Sequence, residues 1–162
     1  MRAGRAFEAA TLAACRLKDQ FEYKTYSAAV AEVKANQPWN PSEPSVRWAS
    51  DLHARTAMAL GLEDWSGLRF YTAIGTALDR FHGVDGFFEF CGVRVTLDVT
   101  LNAAKFGGYK ADFIVGPTSL TMASAGRELA LRIAAELLKR QEAFAKQRPP
   151  HRAVLARIGP RD

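Results

Sequence analysis

Residues 83–115, GVDGFFEFCGVRVTLDVTLNAAKFGGYKADFIV, contain three β-type runs in succession. β-Branched and aromatic residues are concentrated at 84–90, 93–101 and 110–115, and residues of these types favour strands. Only the dipeptide Cys91-Gly92 separates the first two runs. So short a connection predicts a tight turn and an antiparallel hairpin.

The second run alternates between apolar and polar residues, which predicts a strand with one buried face. The predicted apolar face consists of Val93, Val95, Leu97, Val99 and Leu101. The predicted polar face consists of Arg94, Thr96, Asp98, Thr100 and Asn102. In the third run, Lys110 and Asp112 share the face opposite to the apolar residues.

Helical patterns are predicted on both sides of these strands, and a segment with three prolines, 37–45, interrupts them. In the fourth helix Ser66 is the predicted cap. The apolar stripe of that helix is Tyr71, Ile74, Leu78 and Phe81, which has the spacing of one buried helix face. The predicted helices span 5–18, 26–35, 46–60, 66–81 and 124–145.

These elements predict an α+β (α/β) fold, a small mixed sheet of three or four strands flanked by helices, with a helical N-terminal extension. A length of 162 residues suits one domain. A single globular domain is therefore predicted at 1–148, with its core at 66–145. The dipeptide Pro149-Pro150 and the basic residues after it predict a flexible basic tail at 149–162.

The composition is that of an ordinary soluble domain, with 48% apolar and 24% charged residues. No apolar run approaches the ~20 residues of a membrane span, so no membrane association is expected. The N-terminus has no signal-peptide pattern, and two distant cysteines, Cys15 and Cys91, predict free thiols in a reducing cytoplasm. A net charge of +5 is compatible with a polyanionic partner.

Two aspartates occur where strand residues are expected. Asp85 opens the first run, and Asp98 lies between β-branched residues in the second. Aspartate is a poor strand former, and a carboxylate buried there requires a partner, a metal or water. Because the two residues lie on neighbouring strands, they are expected to converge, and a metal site is the first functional hypothesis. The alternative is that Asp85 is a turn residue and Asp98 a solvated one.

Three nearby residues are secondary candidates for the same site. Asp79 on the predicted fourth helix is a potential third carboxylate, although a solvated helix face also explains it. Glu89 has the same strand parity as Asp85. His82 lies close to Asp85 in sequence, but it is equally suited to the C-terminal end of a helix.

The order helix, three strands, helix, with Asp85 in GVDGFFEF and Asp98 in VTLDVT, resembles the PD-(D/E)xK phosphodiesterase superfamily, which has the restriction-endonuclease-like fold. The resemblance covers residues 66–145. It implies that Asp85 and Asp98 bind magnesium or manganese and that the protein hydrolyses DNA phosphodiester bonds. It also implies DNA as a partner and admits a homodimer.

The chain departs from the family pattern two residues after the second acid, where the family has a lysine and this chain has Thr100. Lys110 is the preferred substitute for that lysine as a catalytic residue, and Lys105 is the other candidate. Two alternatives to a nuclease remain open. One is an inactive member of the same fold that binds nucleic acid or protein, and the other is a small interaction protein with structural aspartates.

Overall fold

The computed structural model describes residues 3–17, 22–102 and 110–148. The predicted tail at 149–162 and Lys105 lie outside the described residues. The described part has six helices and a four-stranded mixed sheet, so the predicted α+β fold is confirmed. The helices are α1 Ala3–Leu12, α2 Tyr26–Ala35, α3 Arg47–Ala59, α4 Ala77–His82, α5 Pro117–Thr121 and α6 Ala123–Gln147. The strands are β1 Arg69–Thr72, β2 Gly86–Phe90, β3 Val93–Val99 and β4 Phe113–Val115.

The sheet has the order β1-β2-β3-β4. β2 pairs antiparallel with both β1 and β3, whereas β4 pairs parallel with β3. Cys91 and Gly92 both have positive φ angles, 48° and 80°, as a tight two-residue hairpin turn requires. The predicted hairpin is therefore confirmed, and the buried face of β3 is formed by Val93, Val95, Leu97 and Val99.

The helix predicted at 66–81 is wrong, because this segment forms β1 followed by the short helix α4. Ser66 caps no helix, and its N–H and hydroxyl instead donate to the carboxylate of Asp64. Thr76 is the cap of α4, since its hydroxyl accepts hydrogen bonds from the N–H groups of Leu78 and Asp79. The helical spacing of the apolar residues is overridden by pairing with β2.

The sheet lies between two layers of helices, each with its own apolar cluster. On one face, α1, α3 and α6 pack over Phe70 and Phe88, whose rings stack with centroids 4.3 Å apart. On the other face, α2 and α4 pack over Tyr71 and Phe87, whose rings stack at 4.9 Å. Because β1 and β2 are buried on both faces, consecutive residues on them are apolar rather than alternating.

The free edge of β1 is covered by the proline-rich segment that follows α2. The Gln37 side chain accepts from Thr72 N–H and donates to Thr72 O, at 2.9 Å in both cases. Trp39 Nε1 donates to Phe70 O at 3.0 Å, and Phe70 N–H donates to Pro41 O at 2.8 Å. Side chains and loop backbone therefore supply the hydrogen bonds that a fifth strand would otherwise make.

We expect Gln37→Ala to lower the free energy of unfolding by about 2–3 kcal/mol, because it leaves the backbone N–H and C=O of Thr72 without their partners. Urea denaturation measures this change. Gln147→Ala, at the exposed end of α6, is the control and should change stability by less than about 0.5 kcal/mol. A similarly small effect of Gln37→Ala would show that water satisfies the β1 edge equally well.

Candidate carboxylate site

Asp85 is fixed by the strands on either side of it. Its N–H donates to Leu97 O, and its carbonyl accepts from Ala73 N–H, each at 2.8 Å. The side chain is buried, and Asp85 Oδ2 accepts from Val99 N–H at 2.7 Å. Asp85 thus holds the beginning of β2 against the end of β3, with its carboxyl group inside the protein.

Asp98 lies on β3 at the same end of the sheet. β2 and β3 pair with Gly86 opposite Leu97, so extending this register by one residue places Asp85 opposite Asp98. Residues opposite each other in a sheet share a face, and two like charges placed in this way repel. The two aspartates that were predicted from the sequence therefore lie on one face at one end of the sheet.

Asp79 joins them from α4. Asp79 Oδ2 accepts from Gly75 N–H at 2.8 Å, and a hydrogen bond between the Asp79 and Asp85 carboxyl groups lowers the pKa of Asp79. A hydrogen bond between two carboxyl groups requires a proton on one of them. Asp79 and Asp85 are therefore a proton-sharing pair, similar in principle to other carboxyl dyads.

Glu8 on α1 is the fourth carboxylate and was missed from the sequence. Glu8 is half-buried. Its Oε1 atom lies near Gly4, 3.9 Å from the position that a Cβ atom would occupy there, so the carboxylate lies over the first turn of α1. Its electrostatic neighbours are Asp79 and Asp98. The one available signal was a charged residue within an otherwise apolar helical pattern.

Burial raises the pKa values of three of these carboxyl groups. Burial, followed by the charges of Asp79, Asp98 and Glu8, raises the pKa of Asp85 from 3.8 to about 9. Burial and then Asp79 and Asp98 raise the pKa of Glu8 to about 6. Burial raises the pKa of Asp79 as well, against the hydrogen bond from Gly75 and the nearby charge of Arg5. The charges of Asp79 and Asp98 thus raise the cost of ionising both Asp85 and Glu8.

All donors in this cluster are carboxylate oxygens, the ligands that magnesium and manganese prefer. Within residues 3–17, 22–102 and 110–148, no three His, Cys, Asp or Glu side chains are already arranged as a ligand group for an ion. Magnesium commonly uses one or two protein carboxylates and completes its shell with waters and substrate phosphates. The donor types at Asp85 and Asp98 fit such an ion, with Asp79 and Glu8 close by.

Lys110 lies just before β4, and its Nζ donates to Phe81 O at 3.1 Å. That contact directs the ammonium to the C-terminal end of α4. At the position where the resemblance would place a lysine, Thr100 N–H donates to Val115 O, and Thr100 Oγ1 accepts from Asn102 N–H. The cation whose charge lowers the pKa values of both Glu8 and Asp79 is Arg5 on α1, which the sequence did not indicate.

The other sequence candidates have partners elsewhere. Glu89 forms ion pairs with Lys34 at 2.6 Å and with Arg94 at 2.8 Å. His82 Nε2 lies 2.8 Å from Lys24 O. These contacts give both residues structural roles on the same face of the sheet.

Comparison of the chain with protein-family models, with curated proteins and with solved structures gave no match. No helix in the described part of the chain is long and apolar enough to cross a membrane.

The raised pKa of Asp85 predicts a stability that falls with increasing pH. Between its ordinary value of 3.8 and about 9, the folded protein binds a proton at Asp85 that the unfolded chain releases. The free energy of unfolding therefore decreases as pH rises through this window. Asp85→Asn should remove most of this slope and stabilise the metal-free protein by about 1–3 kcal/mol at pH 8.

Urea denaturation in chelator at pH 5, 6.5 and 8 measures both effects. Asp51→Asn, at an exposed position on α3, is the matched control and should follow the wild-type slope. A wild-type protein that becomes more stable from pH 5 to pH 8 would contradict this account. In that case Asp85 would act as an ionised acceptor for Val99 N–H.

Proposed function

We propose that this chain is a metal-dependent phosphodiesterase that hydrolyses nucleic acid, with magnesium or manganese bound at Asp85 and Asp98. The observation that carries the proposal is that carboxylates from α1, α4, the start of β2 and β3 meet at one end of the sheet. Such a grouping is costly to fold, because burial and mutual repulsion both oppose ionisation. A divalent cation would offset that cost.

The arrangement suits the reaction. Hydrolysis of a phosphodiester forms a bond from water oxygen to phosphorus, breaks one P–O bond and returns a proton to the leaving oxygen. The metal would neutralise phosphate charge and lower the pKa of a bound water. The Asp79–Asp85 pair holds a proton whose release would make both carboxylates available as ligands or proton acceptors. Asp98 and Glu8 add negative charge that favours cation binding.

The proposal retains DNA as the partner, a homodimer and a cytoplasmic location from the sequence reasoning. The free thiols of Cys15 and Cys91 are compatible with that location. The family pattern places a positive charge beside the attacking water, and we assign this charge to Lys110. Reaching the carboxylates from its present position would require Lys110 to release Phe81 O.

A second candidate is an inactive member of the same fold that binds nucleic acid without cutting it. Two observations favour it, namely Thr100 at the lysine position and the contact of Lys110 with α4. In this reading, Asp79 and Asp85 form a proton-sharing structural pair, and the metal is dispensable. Metal binding and cleavage separate the two candidates.

We expect calorimetry to show Mn²⁺ or Mg²⁺ binding to the wild type, with release of about one proton per ion near pH 7, because the ion displaces the proton shared by Asp79 and Asp85. Asp98→Ala should weaken binding about tenfold or more, since it removes a ligand. Asp51→Ala is the control. Equal, negligible heats of metal binding for the wild type and Asp98→Ala would contradict the metal hypothesis. Asp79 and Asp85 would then be a structural pair only.

The effect of having Thr100 in place of the family's lysine can be tested by DNA cleavage. The substrates are plasmid, linear and single-stranded DNA, each with Mg²⁺, Mn²⁺ or chelator. Thr100→Lys, which restores the family spacing, should increase metal-dependent cleavage about tenfold, and Lys110→Ala should lower it at least tenfold. Ser124→Lys adds the same charge at an exposed position of α6 and should change nothing. If wild type and Thr100→Lys both bind metal and neither cleaves, the inactive binding module becomes the better candidate.

A further inference from the structure

An exposed group of aromatic side chains lies where α2 begins and α4 ends. We call Tyr23, Tyr26, Phe81 and His82 the aromatic platform. The Tyr23 ring lies 5.6 Å from Phe81 and 5.8 Å from His82, and the Tyr26 ring lies 5.5 Å from His82, measured between centroids. Four rings from two chain segments therefore form one cluster, in which Tyr23 packs edge-to-face with Phe81 and Tyr26 with His82.

The platform is both exposed and held in position. Tyr23 is 68% exposed and Tyr26 is 40% exposed, so much of each ring is not used for internal packing. Phe81 packs beneath them against the cluster under α2 and α4. His82 Nε2 is fixed by Lys24 O at 2.8 Å. Exposed tyrosines on a supported base are available to stack on the rings of a ligand.

Two cationic side chains, Lys110 and Arg94, lie next to the platform, and two more, Lys24 and Arg80, are neighbours of its residues in the sequence. Lys24 lies between the two tyrosines in sequence, exposed Arg80 directly precedes Phe81, and Lys110 Nζ lies 3.1 Å from Phe81 O. The guanidinium of Arg94 lies 6.0 Å from the centre of the Tyr26 ring. Lys24 pairs with Glu32, Arg94 pairs with Glu89, and the Lys110 ammonium donates to Phe81 O. The acidic neighbours of the platform in the sequence are Glu22, exposed beside Tyr23, and Asp79, on α4 before Phe81.

The platform adjoins the carboxylate site through α4. Asp79 lies on this six-residue helix together with Phe81 and His82, and Gly83 ends the helix shortly before Asp85. Gly83 has a positive φ of 63°, which turns the chain sharply from the platform towards the strand. The helix α4 therefore carries residues of both the platform and the carboxylate site.

We propose that the aromatic platform stacks the unpaired bases of a single nucleic-acid strand. Flat rings interleaved with cations suit alternating bases and phosphates, and stacking on aromatic side chains requires base faces that a duplex keeps inside its own stack. The assignment of this strand as the substrate rests on the proposed hydrolytic function. The stacking surface itself requires neither metal nor cleavage.

The test measures binding in chelator, so that no cleavage occurs, by fluorescence anisotropy of labelled oligothymidine about 15 nucleotides long, the equivalent RNA and a DNA duplex. The single strands should bind more tightly than the duplex. Replacing Tyr23 and Tyr26 together by alanine should weaken single-strand binding about 5- to 100-fold, whereas replacing both by phenylalanine should preserve it. Trp65→Ala, which removes another exposed aromatic ring, should leave binding unchanged.

Thermal melts of every variant verify that the fold is intact, and the DNA and RNA arms show which sugar is preferred. Wild-type affinity in the double alanine variant, preference for the duplex, or no binding by the wild type would overturn the proposal. Binding through the tyrosines without cleavage in Mg²⁺ or Mn²⁺ would remove the hydrolytic function and support the stacking surface. Cleavage that does not change when both tyrosines are replaced would support the hydrolytic function and remove the stacking surface.

Discussion

The edge of β1 is the constraint on which the positions of the other elements depend. A strand at a sheet edge exposes backbone groups that must find partners, and here Gln37, Trp39 and Pro41 provide them. The same glutamine donates to Val33 O at the end of α2, and Arg16 N–H, after α1, donates to Asn36 O. One short segment thus joins two helices to the sheet. Glu8, on the first of these helices, is one of the carboxylates at the end of the sheet.

The carboxylate cluster illustrates which parts of a site the sequence can predict. Asp85 and Asp98 were identifiable because each interrupts a β-type run, and neighbouring strands bring such residues together. Asp79 was only a weak candidate, and Glu8 was missed, because an acidic residue on a helix is usually solvated. Their recruitment depends on how α4 and α1 pack against the sheet. That packing has no local signal in the sequence.

The misassigned segment at 66–81 and the position of Lys110 have similar explanations. Apolar spacing in the segment was compatible with a helix, and pairing of Phe70 with Phe88 made it a strand. Lys110 was placed by strand parity beside Asp112, but its ammonium bonds to Phe81 O, and Asp112 bonds to Arg140. Periodicity assigns residues to faces, whereas tertiary contacts determine which partner a long side chain reaches.

Asp112 also has a consequence for how this fold can vary. Its carboxylate accepts from the N–H and hydroxyl of Thr96 and from the guanidinium of Arg140, which also donates to Arg94 O. Together with the bond from Thr100 N–H to Val115 O, these contacts fasten both ends of the connection between β3 and β4. The entropy of loop closure changes slowly with loop length. A loop between two fixed ends can therefore be lengthened, or its residues exchanged, at a small cost in stability. Evolution could therefore alter the length of this connection while the sheet that carries Asp98 stays the same.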